Sequence, residues 1–220
     1  MILPIAGVLS PDAVSALRAR VEAARFQDGA ATAGWHARLV KRNAQVAPDE
    51  PALAALKAEV EAALRAHPVV AMAARPKRFG PVLFSRYEAG QEYGSHVDDA
   101  LMGGVRTDLS FTLFLSEPES YRGGELVMET PAGDLAFKLP AGGMILYPST
   151  TLHRVETVTA GVRLCAVGWI RSHVRDAAER ELLFDLETAR QGVFRGQGKT
   201  AEFDLLSKGL SNLLRKWAED

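Results

Sequence analysis

The chain has 220 residues, 47% of them hydrophobic and 24% charged, and its 26 basic and 27 acidic side chains leave a formal charge of −1. That composition excludes a disordered polyelectrolyte and lacks the basic excess that drives strong nucleic-acid binding, so no nucleic-acid partner is expected. A single cysteine, Cys165, rules out an internal disulfide. With no signal-peptide pattern at Met1–Gly7 and no apolar run of spanning length, the expectation is a cytoplasmic protein without a membrane partner.

Residues 10–24 form the first expected helix. Ser10 is its N-cap, Pro11 suits the first turn, and Val14, Leu17 and Val21 recur at helical spacing. A turn-rich loop follows at 26–34. Residues 51–66 give a second amphipathic helix, with Leu53, Leu56, Val60 and Leu64 on one stripe and His67-Pro68 as its stop. Arg75, Lys77 and Arg78 read as a solvated basic edge.

Beyond about residue 79 the hydrophobic period changes from helical to alternating. Residues 81–87, 109–115, 124–128, 135–139, 144–147, 153–158 and 163–170 read as short strands between Gly, Pro or Asp turns, the pattern of a sandwich or barrel. In the strand at 109–115, Ser110, Thr112 and Phe114 share the face expected to line a site, and Leu109, Phe111, Leu113 and Leu115 share the other. Strand character ends near 173. Two charged amphipathic helices are expected at 174–190 and 201–218, joined by a Gly-rich link from Gly192 to Gly198. The organisation is therefore an N-terminal supporting region (1–78), a strand-rich domain (79–172) and a helical tail (173–220).

The chemistry concentrates in the strand-rich block. His96 and Asp98 stand two apart, so on extended backbone both point to one face. Chance alone supplies roughly 0.6 such pairs in a chain of this composition, and a polar loop is the plainer reading. His153 then begins a later strand, and Arg163 begins the next. Two His and one carboxylate with open coordination positions form the facial triad of non-haem Fe(II) oxygenases, and a buried Arg supplies a planar fork for a carboxylate. Arg163 in a structural salt bridge is the alternative. His36, His67 and His173 lack ligand spacing, and Gly123-Gly124 and Gly142-Gly143 are turns rather than phosphate loops.

Further motifs extend this pattern along the chain: Phe26–Gly34, Val40–Gln45, Arg86-Tyr87-x5-Tyr93 running into His96 and Asp98, Arg106–Ser110, Gly123–Leu126, Leu139–Gly142, Tyr147-Pro148-Ser149 and Leu152-His153. Together they resemble the bacterial PKHD-type hydroxylases, of the prolyl/lysyl hydroxylase-like branch of the 2-oxoglutarate oxygenases. The resemblance runs from about residue 20 to the C-terminus. It implies an α+β fold with a double-stranded β-helix (jelly-roll, cupin-like) core, N-terminal helices packed outside it and a C-terminal helical hairpin. It also implies Fe(2+) on His96, Asp98 and His153, the 5-carboxylate of 2-oxoglutarate on Arg163, O2 as co-reactant, and L-ascorbate keeping the iron reduced. Asp98 points to hydroxylation rather than halogenation, which needs the carboxylate position vacant. Tyr87 either points its hydroxyl at the cosubstrate or is a half-buried sheet aromatic. Asn43 and Gln45 fall near a substrate entrance by the resemblance alone.

The expected activity is hydroxylation with release of succinate and CO2. The substrate is a protein side chain by the family name, or a siderophore or small metabolite by the association of bacterial members with iron uptake. Two other readings stay open: a cupin-type metalloenzyme that does not use 2-oxoglutarate, and a non-catalytic module sensing iron or 2-oxoglutarate. The stripe Phe203, Leu206, Leu210, Leu213, Leu214 and Trp217, facing Leu182, Leu183 and Leu186, needs a cover, either the barrel or a second copy in a homodimer.

Overall fold

The computed structural model describes residues 1–220. Its frame is two facing antiparallel sheets. The larger has seven strands in the order Leu3–Ile5, Met144–Pro148, Leu109–Phe114, Arg163–Ser172, Pro76–Tyr87, Ala44–Val46 and Phe26–Asp28. The smaller has five, in the order Gly133–Phe137, Leu126–Thr130, His153–Val155, Glu92–His96 and Lys41–Arg42. This is the double-stranded β-helix architecture that the family resemblance implied, one form of the sandwich or barrel read from the strand block.

Side-chain alternation gives the larger sheet two different faces. Leu109, Phe111, Leu113, Leu146, Leu164, Ala166 and Ile170 point outward into a cluster of 26 buried apolar residues. Three helices supply its other half: α1 (Pro11–Ala23), α2 (Leu53–Ala66) and α3 (Pro68–Ala74). Each buried Leu or Phe side chain there contributes about 1.5–3 kcal/mol. The inward face carries Tyr87, Phe114, Ile145, Tyr147 and Cys165, which meet Leu126, Met128 and Val155 of the smaller sheet.

Several elements differ from the sequence-based expectation. α1 begins as expected, with Ser10 Oγ accepting from Ala13 N at 3.3 Å. His67-Pro68 does end α2, but Pro68 immediately starts α3, because proline has no N–H to lose at a first helical position. The short strands Leu3–Ile5, Phe26–Asp28, Lys41–Arg42 and Ala44–Val46 knit the N-terminal region into both sheets. The Gly-rich link is helical: α4 (Ala177–Gln197) runs through Gly192 and Gly196 and stops at Gly198, whose φ is +73°. An interior glycine costs a helix only about 1 kcal/mol.

The basic edge is also reassigned. Arg75 donates to Leu183 O and Lys77 to Glu219 O, and Arg106 pairs with Glu219 at 2.7 Å. These contacts fasten α4 and α5 (Ala201–Trp217) to the barrel. Val174, Leu183 and Leu210 form a small buried cluster, with Leu186, Leu213, Leu214 and Trp217 packed on it. The barrel thus covers the centre of the tail's stripe, while Leu182, Phe194 and Leu205 stay exposed. No helix is long and apolar enough to cross a membrane.

Removing the side chain of Leu183, which has 0% exposure, leaves a cavity under the tail. Leu183→Ala is expected to cost about 2–5 kcal/mol in chemical denaturation, whereas Phe194→Ala, at 53% exposure, stays within about 0.5 kcal/mol. Equal losses in the two variants would contradict the docked arrangement.

Candidate metal and cosubstrate site

His96 ends one strand of the smaller sheet and His153 begins its neighbour, where the two are cross-strand partners. Their ring centroids lie 4.2 Å apart. Asp98 follows His96 by two residues, just past the strand end. One ligand atom from each of the three lies within 4.8 Å of the other two. His36, His67 and His173 take no part in this cluster.

Hydrogen bonds fix the tautomer of both histidines. His96 Nδ1 lies 2.9 Å from Gly94 O, and His153 Nδ1 lies 2.9 Å from Thr151 O. A carbonyl only accepts, so each Nδ1 carries a proton and each Nε2 is the atom left toward the cluster, that of His153 with the Tyr147 hydroxyl 3.3 Å away. Burial, followed by the neighbouring His153, pulls the His96 pKa down to about 3, so its imidazole is neutral and free to ligate at physiological pH. Tyr93 stacks on the His96 ring at 3.6 Å and holds its plane. Asp98 is oriented from behind. Ser110 Oγ donates to Asp98 Oδ2 at 2.6 Å, and Ser149 Oγ backs Ser110 at 2.8 Å. That leaves the second carboxylate oxygen to face the cavity. Two imidazoles and one carboxylate, each with a group fixing it from behind, suit a divalent iron and leave coordination positions open.

Arg163 opens a strand of the facing sheet and is 1% exposed. Its cross-strand partner is Tyr87, whose ring lies 5.1 Å from the guanidinium carbon, and the Phe114 ring lies at 5.5 Å. Nη1 donates to Cys165 Sγ at 3.0 Å, and buried Nε has no partner. No carboxylate side chain pairs with it, so the salt-bridge alternative does not hold. A buried charge demands an opposite one, and the anion must come from outside the chain. The Tyr121 hydroxyl is also buried without a partner, and Tyr121 packs with Arg163 around Gly124, where an added Cβ would meet both. Burial raises the Tyr121 pKa to about 12, so its hydroxyl remains a donor.

One cavity joins these groups. His96, Asp98, His153, Arg163 and Tyr87 all line it, as do Ser110, Thr112 and Val167. Tyr87 is 3% exposed and burial raises its pKa, so it enters the cavity as a protonated phenol rather than as a half-buried sheet aromatic. Gln45, expected near a substrate entrance, lines the cavity, while Lys41, Tyr147 and Ser149 have places here that sequence reasoning did not assign. Lys41, Asn43 and Gln45 are all buried, and the chain passes from the smaller sheet at Lys41–Arg42 to the larger at Ala44–Val46 between them.

Comparison with known proteins agrees with this geometry. Residues 82–171 match the model of the 2OG-Fe(II) oxygenase superfamily. A PKHD-type hydroxylase of Acaryochloris marina is 53% identical over 219 residues, spanning the whole of both chains, and one from a Picosynechococcus species is 51% identical over the same span. Among solved structures, a Pseudomonas putida prolyl-4-hydroxylase superposes with a TM-score of 0.53 at 23% identity, over 78% of this chain and 92% of that one. A Trichoplax adhaerens prolyl hydroxylase, solved with a hypoxia inducible factor oxygen degradation domain peptide fragment, gives 0.58 at 14% identity, over 82% and 86%. At those identities the structural likeness speaks for the fold.

The hydroxyl behind Asp98 has a measurable consequence. Ser110→Ala releases Asp98 Oδ2 from its hydrogen bond and is expected to weaken Fe(II) binding about tenfold in an anaerobic titration, within the usual range for groups that orient a ligand. His153→Ala should weaken it much further, and His36→Ala should leave it as it was. Native affinity in the Ser110 variant would remove the orienting role.

Proposed function

The chain belongs to the PKHD-type hydroxylases of the 2OG-Fe(II) oxygenase superfamily, and on that footing we propose that His96, Asp98 and His153 hold the iron while Arg163 receives the distal carboxylate of 2-oxoglutarate. The activity is that of an Fe(II)- and 2-oxoglutarate-dependent dioxygenase. The observation that carries the assignment of residues is the buried Arg163 guanidinium with no acid beside it, in the same cavity as the His–Asp–His cluster. It favours this reading over a cupin-type enzyme without 2-oxoglutarate, because a metal site alone gives no reason to bury that charge.

The bound iron and cosubstrate supply the oxidising power, with 2-oxoglutarate and O2 converted to succinate and CO2 as the substrate is hydroxylated. The chain supplies position and shielding. The two carbonyl-bound imidazoles turn their Nε2 atoms toward the metal position, with the Tyr147 hydroxyl beside that of His153. Asp98 neutralises part of the metal's charge with one oxygen while Ser110 holds the other. Arg163 would hold the far carboxylate, a charge-assisted contact in a setting from which water is excluded. Tyr87, beneath Arg163, offers its phenol to the same molecule. The apolar floor of Leu126, Val155 and Phe114 keeps bulk water from the reacting centre.

Three further parts belong to the proposal. L-ascorbate restores the ferrous state after turnovers that do not reach substrate. The protein works in the cytoplasm, consistent with one buried, unpaired cysteine. A homodimer would use the apolar side chains the docked tail leaves bare, Leu182, Phe194 and Leu205.

The test is conversion of 2-oxoglutarate to succinate in the presence of Fe(II) and O2. Native protein is expected to form succinate in an iron- and oxygen-dependent way. Arg163→Leu should raise the concentration of 2-oxoglutarate required by about 30-fold or more, from loss of roughly 2–5 kcal/mol of a partly buried charge pair. Arg163→Lys should recover only part, because a point charge lacks the fork. An unchanged requirement in the Leu variant would make Arg163 structural.

A further inference from the structure

The cavity contains a second buried cation that neither the iron nor 2-oxoglutarate accounts for. Lys41 is 8% exposed and lines the cavity with the metal cluster. Its single hydrogen bond in the protein is to Thr32 Oγ1, at 3.0 Å, so two of its three N–H donors are free. Its Nζ sits 5.1 Å from the centre of the Tyr93 ring, and that same ring stacks with His96 at 3.6 Å. Tyr93 therefore contacts both the ammonium and a residue of the metal cluster.

No acid of the chain is placed to neutralise it. The carboxylates whose charge reaches Lys41 are Asp98 and Asp28. Asp98 belongs to the metal cluster. Asp28 is exposed and occupied in capping the turn at Ala30, whose N–H it accepts at 2.9 Å. In the loaded site, the charges of Fe(II) and Arg163 are balanced by Asp98 and the 2-oxoglutarate dianion, and Lys41 is left over. Burial lowers its pKa to about 8, which still leaves it mostly protonated at neutral pH. Nor is Lys41 a loose surface chain. Thr32 bonds onward to Gln45 at 2.5 Å, and Gln45 Nε2 donates to Ser85 Oγ at 3.1 Å, so a buried polar chain runs from the lysine back into the larger sheet. A lysine held this way, at the cost of its desolvation, is built to receive an anion.

We propose that Lys41 is the substrate-binding cation and that the substrate is a small molecule bearing a carboxylate, which docks on Nζ and sets the neighbouring carbon toward the metal. The inference rests on the dioxygenase reading and narrows its substrate class. The body of that molecule is apolar. Val97 and Met102 line the cavity, and next to lining residues Trp35 and Leu101 are exposed at 78% and 65%. Thr32, Ala33, Gly34 and Ala37, from the segment leading into Lys41, close the same side.

The experiment uses matched pairs: short aliphatic and aryl carboxylic acids, each against its primary amide. Two quantities are read on the full chain with Fe(II) and 2-oxoglutarate: thermal stabilisation without oxygen, and stimulation of succinate formation with it. Native protein should respond to at least one acid at about tenfold lower concentration than to its amide, the size of one hydrogen bond to a charged group. Lys41→Met should bring that ratio close to one, and Lys41→Arg should keep most of it. A merely structural lysine would weaken acid and amide alike and leave the ratio unchanged. Equal response to acid and amide in the native protein, a preserved ratio in Lys41→Met, or no response to any acid overturns the proposal. If native protein forms no succinate under any condition, the dioxygenase reading itself fails. Succinate formed without any preference for acids overturns the Lys41 inference alone.

Discussion

A guanidinium at 1% exposure with no carboxylate beside it is the constraint around which the rest of the site is arranged. Leaving such a charge unpaired costs about 3–5 kcal/mol. The fold sustains that cost by surrounding Arg163 with groups that soften it without cancelling it. Tyr87 and Phe114 turn their ring faces to the cation, and Cys165 accepts one N–H. None of these satisfies the charge, so a dicarboxylate entering the cavity gains the full pairing energy. The large outer cluster of 26 apolar residues makes the arrangement tolerable, since its stabilisation comes from the opposite face of the same sheet.

That division follows from the two-residue period of a strand. Along Arg163–Ser172 and Leu109–Phe114, neighbouring residues face opposite ways, so Leu164 packs against the helices while Arg163 and Cys165 enter the cavity, and Phe111 packs outward while Ser110 and Thr112 face in. The smaller sheet repeats the logic with its own cross-strand pair, His96 and His153. With the His–Asp–His cluster at one sheet and Arg163 on the other, the spacing of the site is set by sheet packing. A cosubstrate reaching from Arg163 to the metal would bridge the two sheets, and substrate specificity would be left to the residues around Lys41.

Much of this was legible in the residues. His96 and Asp98 two apart, His153 and Arg163 each opening a strand, and the alternation in 109–115 all point to features the structure contains, because strand periodicity translates directly into which side chains share a face. What was not legible has physical reasons. The N-terminal strands are only two or three residues long and exist through pairing with distant segments, so local pattern does not reveal them. Gly192 and Gly196 resemble a linker, yet Val193, Phe194 and the residues before them carry the helix through. Arg75 and Lys77 resemble a solvated edge, but their partners, Leu183 O and Glu219 O, lie more than 100 residues away. Lys41 looks like any basic residue until its burial is known.

The central claim is that Arg163 is kept unpaired inside the protein for a distal carboxylate that arrives with the cosubstrate. Thermal unfolding of the iron-loaded, oxygen-free protein tests it most directly, with 2-oxoglutarate compared with 2-oxobutanoate, which has the same keto-acid end and no second carboxylate. The account predicts that 2-oxoglutarate raises the melting temperature strongly, approaching about 2.7 kcal/mol of stabilisation at a hundredfold excess over its dissociation constant, and that 2-oxobutanoate at equal concentration has little effect. Equal stabilisation by the two acids would contradict it.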